Sequence, residues 1–373
     1  MRKSRTILLA CAAIACAALT TGCTKGRIFS HGGEAIRFTT ASGGGYTTKT
    51  VYGDDVETDG VKKQALNWVD GDVITIASPQ AEVQNVGGHA SNYVIVSPTA
   101  GVPSKASVQN EDVNGLEWGD DADATYDFYA VYPKTRDGLT LDPATGLVTA
   151  AIPAEQALTG TATSKTAGEG DGTVTYKVYA PDMAYAYMTA ATKNVTATEE
   201  ANAVSLTFNP AFTAFEFNVS SQDDEIELTQ FQILSPEGSS DKLAGTFTMT
   251  AGSLATATAT AGGASVTVPM TETVTAAQGL TFTVFTLPIL NEDALRVRFT
   301  SKDGDEDTKT SWIDLKYSDS EAAGDNAGKA LQFQAGHKYR INMLKLPSNQ
   351  WKITIAAVFK EWVDAEDEVV IYI

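Results

Sequence analysis

The chain has 373 residues, 43% of them hydrophobic and 20% charged, enough for two ordinary domains and a processed leader and too apolar for a disordered polymer. Its formal charge of −19 repels a phosphate backbone and argues against nucleic acid as a partner. Short alternating runs of Val, Thr, Ala and aromatic residues, with no long helical period, predict an all-β protein.

Residues 1–22 read as a leader. MRKSR is basic and holds no acid, and Ile7–Leu19 is an apolar core of signal-peptide length, too short to span a bilayer comfortably. Leu19-Thr20-Thr21-Gly22-Cys23 resembles a bacterial lipobox, with its aliphatic residue four places before Cys23 where the strict pattern has three. Cleavage after Gly22 would leave Cys23 as the lipidated first residue. Cys11 and Cys16 would leave with the leader, so the mature chain would hold no disulfide. Several acyl chains on one cysteine anchor stably, whereas one does not. Residues 23–33 read as a stem.

Strands follow in order. Glu34–Ala41 is the first, with Ile36 and Phe38 on one face and Arg37 on the other. Ser42–Lys63, rich in Gly, Thr and Asp, reads as loop with one short strand at most. Leu66–Ala77 reads as a strand pair turned at Asp70-Gly71. Asn92–Ser97, the aromatic Tyr126–Pro133, Leu147–Ile152 and Thr173–Val178 complete the first half, with an exposed loop at Ala157–Gly172 and a polar linker at Lys193–Ala203.

Val204–Ser221 is the most ordered pattern. Val204, Leu206 and Phe208 alternate with polar residues, and past Asn209-Pro210 the alternation shifts to Phe215, Phe217 and Val219. Proline cannot donate to a ladder, so a bulge or a change of sheet is expected there. Glu216 and Asn218 are expected on a wet face. The stretch is read as the opening of a second domain. Glu227–Leu234, Gly245–Ala251, Ser265–Val268, Leu280–Leu287, Ala294–Ser301, Thr310–Tyr317, His337–Leu344 and Trp351–Lys360 are its further strands, and Ser253–Gly263 reads as a solvent hairpin. Val369-Val370-Ile371-Tyr372-Ile373 is β-prone and must pair with something. Burying each of Val369, Ile371 and Ile373 would contribute about 1.5–3 kcal/mol.

Chemistry is scarce. His31, His89 and His337 show no metal-ligand spacing, and no nucleophile elbow, P-loop or dinucleotide fingerprint is present. The chain is read as non-enzymatic, with no cofactor. Asp303, Asp305 and Asp307 alternate as calcium-loop ligands do, but Thr308 stands where such a loop needs glycine. They are read as a solvated turn, like Asp120, Asp121 and Asp123, and no metal is assigned. Trp68, Trp118, Trp312, Trp351 and Trp362 are read as core residues, with sugar stacking as the alternative.

Several pieces together resemble the fimbrillin family of Bacteroidetes, the Mfa-like and FimA-like fimbrial subunits. They are NWVDGDVITIA (67–77), YAVYP (129–133), VSLTFNPAFTAFEFNV (204–219) and GHKYRINM (336–343), followed by a Trp362-containing end. The resemblance implies two tandem transthyretin-like β-sandwich domains, at 34–200 and 201–373. It implies a lipoprotein of the outer membrane that becomes a structural or adhesive subunit of type V pili. An arginine-specific protease would remove the first strand, and a neighbouring subunit's C-terminal strand would fill the groove. Arg27 and Arg37 are then the candidate cleavage sites, and Val369, Val370, Ile371, Tyr372 and Ile373 the candidate donor strand. Other fimbrial subunits, the outer membrane, and host or bacterial surface glycans or proteins are the implied partners. The alternative reading is a glycan-binding surface lipoprotein of the outer membrane.

Overall fold

A computed structural model describes residues 34–42, 51–58, 61–96, 105–111, 114–121, 123–167, 173–197, 203–222, 225–253, 258–288, 293–303, 309–316, 328–347, 350–359 and 370–372. They form 26 strands and no α-helix. The first are β1 Arg37–Ser42, β2 Val51–Thr58, β3 Val61–Asn67, β4 Val73–Ala77, β5 Glu82–Val83, β6 Ala90–Val96, β7 Lys105–Asn110, β8 Leu116–Glu117, β9 Thr125–Tyr132, β10 Thr140–Leu141, β11 Leu147–Ile152, β12 Thr163–Ala167 and β13 Val174–Val178. A 3-10 turn at Met183–Tyr185 precedes β14 Met188–Thr196, β15 Ala203–Pro210, β16 Thr213–Ser221, β17 Ile226–Leu234, β18 Ala244–Thr250, β19 Thr258–Gly263, β20 Ser265–Val274, β21 Gln278–Thr286, β22 Arg296–Asp303, β23 Lys309–Asp314, β24 Lys338–Lys345, β25 Trp351–Phe359 and β26 Val370–Tyr372.

Seven strands close a barrel in the order β1-β15-β14-β9-β4-β6-β7. Its alternating strands turn Ile36, Phe38, Ile74, Ile76, Phe128, Leu206 and Phe208 inward, where Trp68 and Trp118 join them. The expected turn between β3 and β4 is present, with Gly71 at φ +90 where a side chain would be strained. β9 is buried on both faces. Phe128, Ala130 and Tyr132 fill the barrel, while Tyr129 and Val131 belong to a second, larger core. This is why that stretch is aromatic without a polar face.

The larger core lies between a seven-stranded sheet, β12-β13-β21-β16-β24-β25-β26, and a four-stranded sheet, β20-β17-β22-β23. Phe217 of one meets Phe231 of the other at 4.5 Å between ring centres, and Phe299 meets Trp351 at 4.5 Å. Two sheets packed face to face make the expected sandwich.

Pro210 marks a change of sheet. β15 pairs in parallel with β1, and β16 starts afresh between β21 and β24. Strand pairing also crosses the expected division at residue 200. β11 pairs with β18, and β13 with β21, so residues from the first half sit in sheets of the second.

The structure corrects four expectations. Ser42–Lys63 holds the β2 strand and the start of β3, which form a hairpin. Ala157–Gly172 contains β12, an edge strand with no buried residue. Lys193–Ala203 is not all linker, because β14 runs on to Thr196 through a bulge at Lys193-Asn194. Glu216 and Asn218 are not wet: all nine residues of β16 are buried, because it is the central strand of its sheet and its polar face is covered too.

Candidate functional site: the terminal β edges

The first strand is a stave of the barrel. β1 runs parallel to β15 and antiparallel to β7, with Arg37 opposite Ala203 and Thr40 opposite Ala106. Ile36, Phe38 and Thr40 face inward and are buried, while Arg37 is exposed. The Phe38 ring meets Tyr93 at 5.1 Å and Phe128 at 5.3 Å, both edge to face. Just upstream, Ile36 N donates to Leu116 O at 2.9 Å and Trp118 N to Glu34 O at 3.1 Å. Tyr93 accepts from Leu116 N at 2.8 Å, and burial pushes its phenol up to about 12, so it stays a neutral peg beneath β1. Withdrawing β1 would bare two strand edges above a ready-made apolar trough.

Arg37 is thus placed on the outer face at the very start of β1. Cutting after it would remove Ile36 and the bonds upstream but leave Phe38–Ser42 joined to the chain below. The next arginine in the sequence is Arg136. Cleavage at arginine alone therefore unpins β1 rather than excising it.

The last strand is an outer edge. β26 hangs on β25 with Tyr372 opposite Lys352, Ile371 opposite Ile353 and Val370 opposite Thr354. Among the described residues, no strand pairs with its other side. An unshielded edge is a template for pairing with another chain. Gly22, Cys23, Arg27, Asp305, Asp307, Trp362, Val369 and Ile373 lie outside the described residues, as does His31.

The remaining candidates do not converge. His89 Nδ1 lies 2.7 Å from Ala81 O, and His337 is buried with Nδ1 2.9 Å from Ala335 O. Asp303 ends β22. Among the described residues, no three His, Cys, Asp or Glu side chains could hold a metal ion. Trp68, Trp118 and Trp351 are core residues, as expected, whereas Trp312 is 46% exposed.

Two clusters escape sequence reasoning. On the covered face of β16, Glu216 accepts from Lys338 Nζ and Arg340 Nε, each at 2.5 Å. Asn218 donates to Asn342 Oδ1 at 2.9 Å and accepts from Thr281 at 2.7 Å. Glu216, Thr281, Thr283 and Lys338 floor a cavity of about 910 Å³ whose walls include Tyr132, Tyr179, Pro181 and Met183. Burial alone would raise the Glu216 carboxyl, but the charges of Lys338 and Arg340 outweigh it and hold it at about 2. A carboxylate clamped so far below neutral pH is a poor general acid or base. The second cluster surrounds Trp312 on the outer face of the four-stranded sheet. In the sequence, only the charged Glu216 between two phenylalanines and the arginine pair Arg296 and Arg298 could have pointed to them.

No protein-family model matches the chain, and no curated protein does. Solved structures do match. A "putative cell adhesion protein" from Bacteroides uniformis superimposes with a TM-score of 0.50 at 15% identity, over 88% of this chain and 98% of its own. One of the same description from Bacteroides ovatus gives 0.48 at 13% identity, over 89% and 99%. The tip fimbrial protein Mfa3 from Porphyromonas gingivalis, with a C-terminal truncation, gives 0.40 at 7% identity, over 87% and 100%. The chain thus shares the fold of the Bacteroides uniformis protein over 88% of its length, as its resemblance to the fimbrillins led one to expect.

Proposed function

We propose that this protein is a non-enzymatic, cell-surface adhesive subunit of type V-like fimbriae, joined to other fimbrial subunits by exchange of β-strands. The observation that carries this reading is the placement of the terminal strands. β1 is an inward-packed stave that covers an apolar trough, and β26 is an outer edge strand. Strand addition supplies main-chain hydrogen bonds for affinity and alternate side-chain pockets for specificity. The fold shared with a Bacteroides adhesion protein supports the same conclusion. In this reading the leader is cut after Gly22, and acylated Cys23 holds the subunit at the outer membrane. Cleavage at Arg37 removes the anchor formed by Ile36, and an incoming Val369–Ile373 strand displaces the loosened β1. Cleavage at Arg27 would leave Ile36 in place and β1 pinned.

The test is limited digestion of the purified chain with an arginine-specific protease, followed by N-terminal sequencing and native mass measurement. The reading predicts a new terminus at Phe38 and a ladder of subunit multiples. A chain that is fully cut at Arg37 yet stays monomeric contradicts it. Anchoring is checked separately with labelled palmitate fed to expressing cells: label is expected on the wild-type chain and absent from Cys23→Ser.

A further inference from the structure

On the outer face of the four-stranded sheet, Thr267, Gln232, Arg298 and Trp312 are successive cross-strand partners, one from each of β20, β17, β22 and β23. They form one lateral row, linked by their side chains. Gln232 Nε2 donates to Thr267 Oγ1 at 2.7 Å, and Arg298 Nε donates to Gln232 Oε1. The Arg298 guanidinium then lies over the Trp312 ring, 4.8 Å from its centre. Cation–π stacking of this kind holds a guanidinium flat without using its hydrogen-bond donors. Its neighbour Arg296 is spoken for: it donates to Asp314 Oδ1 at 2.5 Å. Arg298 is not. Among the described residues it meets a neutral amide and an indole, and no carboxylate.

We propose that Arg298 and Trp312 form a binding site for an acidic sugar residue, such as a uronic acid. Its carboxylate would take the two terminal nitrogens of Arg298 as a bidentate pair, and its ring face would lie against the exposed part of the indole. An arginine fork matches a carboxylate in geometry as well as charge. The row that orients it spans the whole width of the sheet, so the donors are set before the ligand arrives and little ordering cost remains.

Size and charge select this ligand over two others. A stable protein interface covers roughly 800 Å² per partner, whereas this site offers one indole and the guanidinium of Arg298, with the ion-paired Arg296 6.0 Å from the same ring centre. A polyanion would meet the repulsion of the whole acidic surface, whereas one carboxylate on an otherwise neutral sugar meets the local charge of Arg298. The site gives the adhesive reading a contact surface. It touches neither β1 nor β26, so failure of strand exchange and failure of sugar binding would be seen independently.

The experiment is saturation-transfer NMR on the purified chain with sodium glucuronate, with glucose, acetate and a short polyglutamate peptide as comparisons. Transfer to the glucuronate ring protons is expected, with glucose and acetate at least tenfold weaker. Arg298→Gln and Trp312→Ala should each weaken glucuronate at least tenfold while leaving the circular dichroism spectrum unchanged. Glucuronate no better than glucose, or unaffected by both substitutions, overturns the proposal. Tighter competition by polyglutamate than by glucuronate overturns it too, in favour of an acidic protein surface.

Discussion

Glu216 sits in the sequence AFEFNV between two phenylalanines that fill the larger core, and it is the most strongly constrained acid described here. Its carboxyl is held at about 2, below its ordinary 4.5. The stability that this contributes is complete above about pH 4.5 and drains away as pH falls toward 2. Acid unfolding followed by circular dichroism should therefore steepen across that window, and Glu216→Gln should remove the steepening. The same variant should lose about 3 kcal/mol at pH 7 in urea titration, because it takes the carboxylate from the buried Lys338 and the half-buried Arg340. Alternation correctly separates Phe215, Phe217 and Val219 from Glu216 and Asn218, but it cannot say whether the polar side meets water. That depends on residues 178–184 and on Tyr132, Pro133 and Arg136, which are distant in sequence and line the cavity above it. For the same reason the Arg298 row was invisible: its four members are neighbours only once the register of four strands is set.

Single strands were far more legible than their partners. β1, β4, β6, β9, β11 and most strands after residue 210 follow from alternation and turn residues. That β1 lies parallel to β15, some 160 residues onward in the chain, is a long-range pairing that no local pattern encodes. The β2–β3 hairpin and β12 were hidden because stretches rich in Gly, Thr, Asp and Lys lack the apolar period on which such reading depends, and β12 has no buried position at all. At this scale Phe38→Ala should cost about 3–5 kcal/mol in chemical denaturation by opening a cavity in the barrel, whereas Thr39→Ala, on the outer side of the same strand, should cost well under 1 kcal/mol. Gly245 is a sharper case. At φ +117, a Cβ there would stand 2.2 Å from Ala261 O. Gly245→Ala should part β19 from β18, seen as faster amide exchange along Thr258–Gly263 and a lower melting temperature.

The whole molecule is knitted across its middle. β9 is a wall of both cores, and β11 and β13 from the first half complete sheets of the second. Scanning calorimetry should accordingly show one cooperative transition for residues 34–373, and two separated transitions would contradict that coupling. In the proposed assembly such a body would hold firm while its terminal strands exchanged. The most direct measurement is native mass spectrometry of the chain cut at Arg37, with and without residues 369–373. Integral multiples of the subunit mass are predicted only when residues 369–373 are present. The same oligomers from both chains, or none from either, would contradict assembly through this strand.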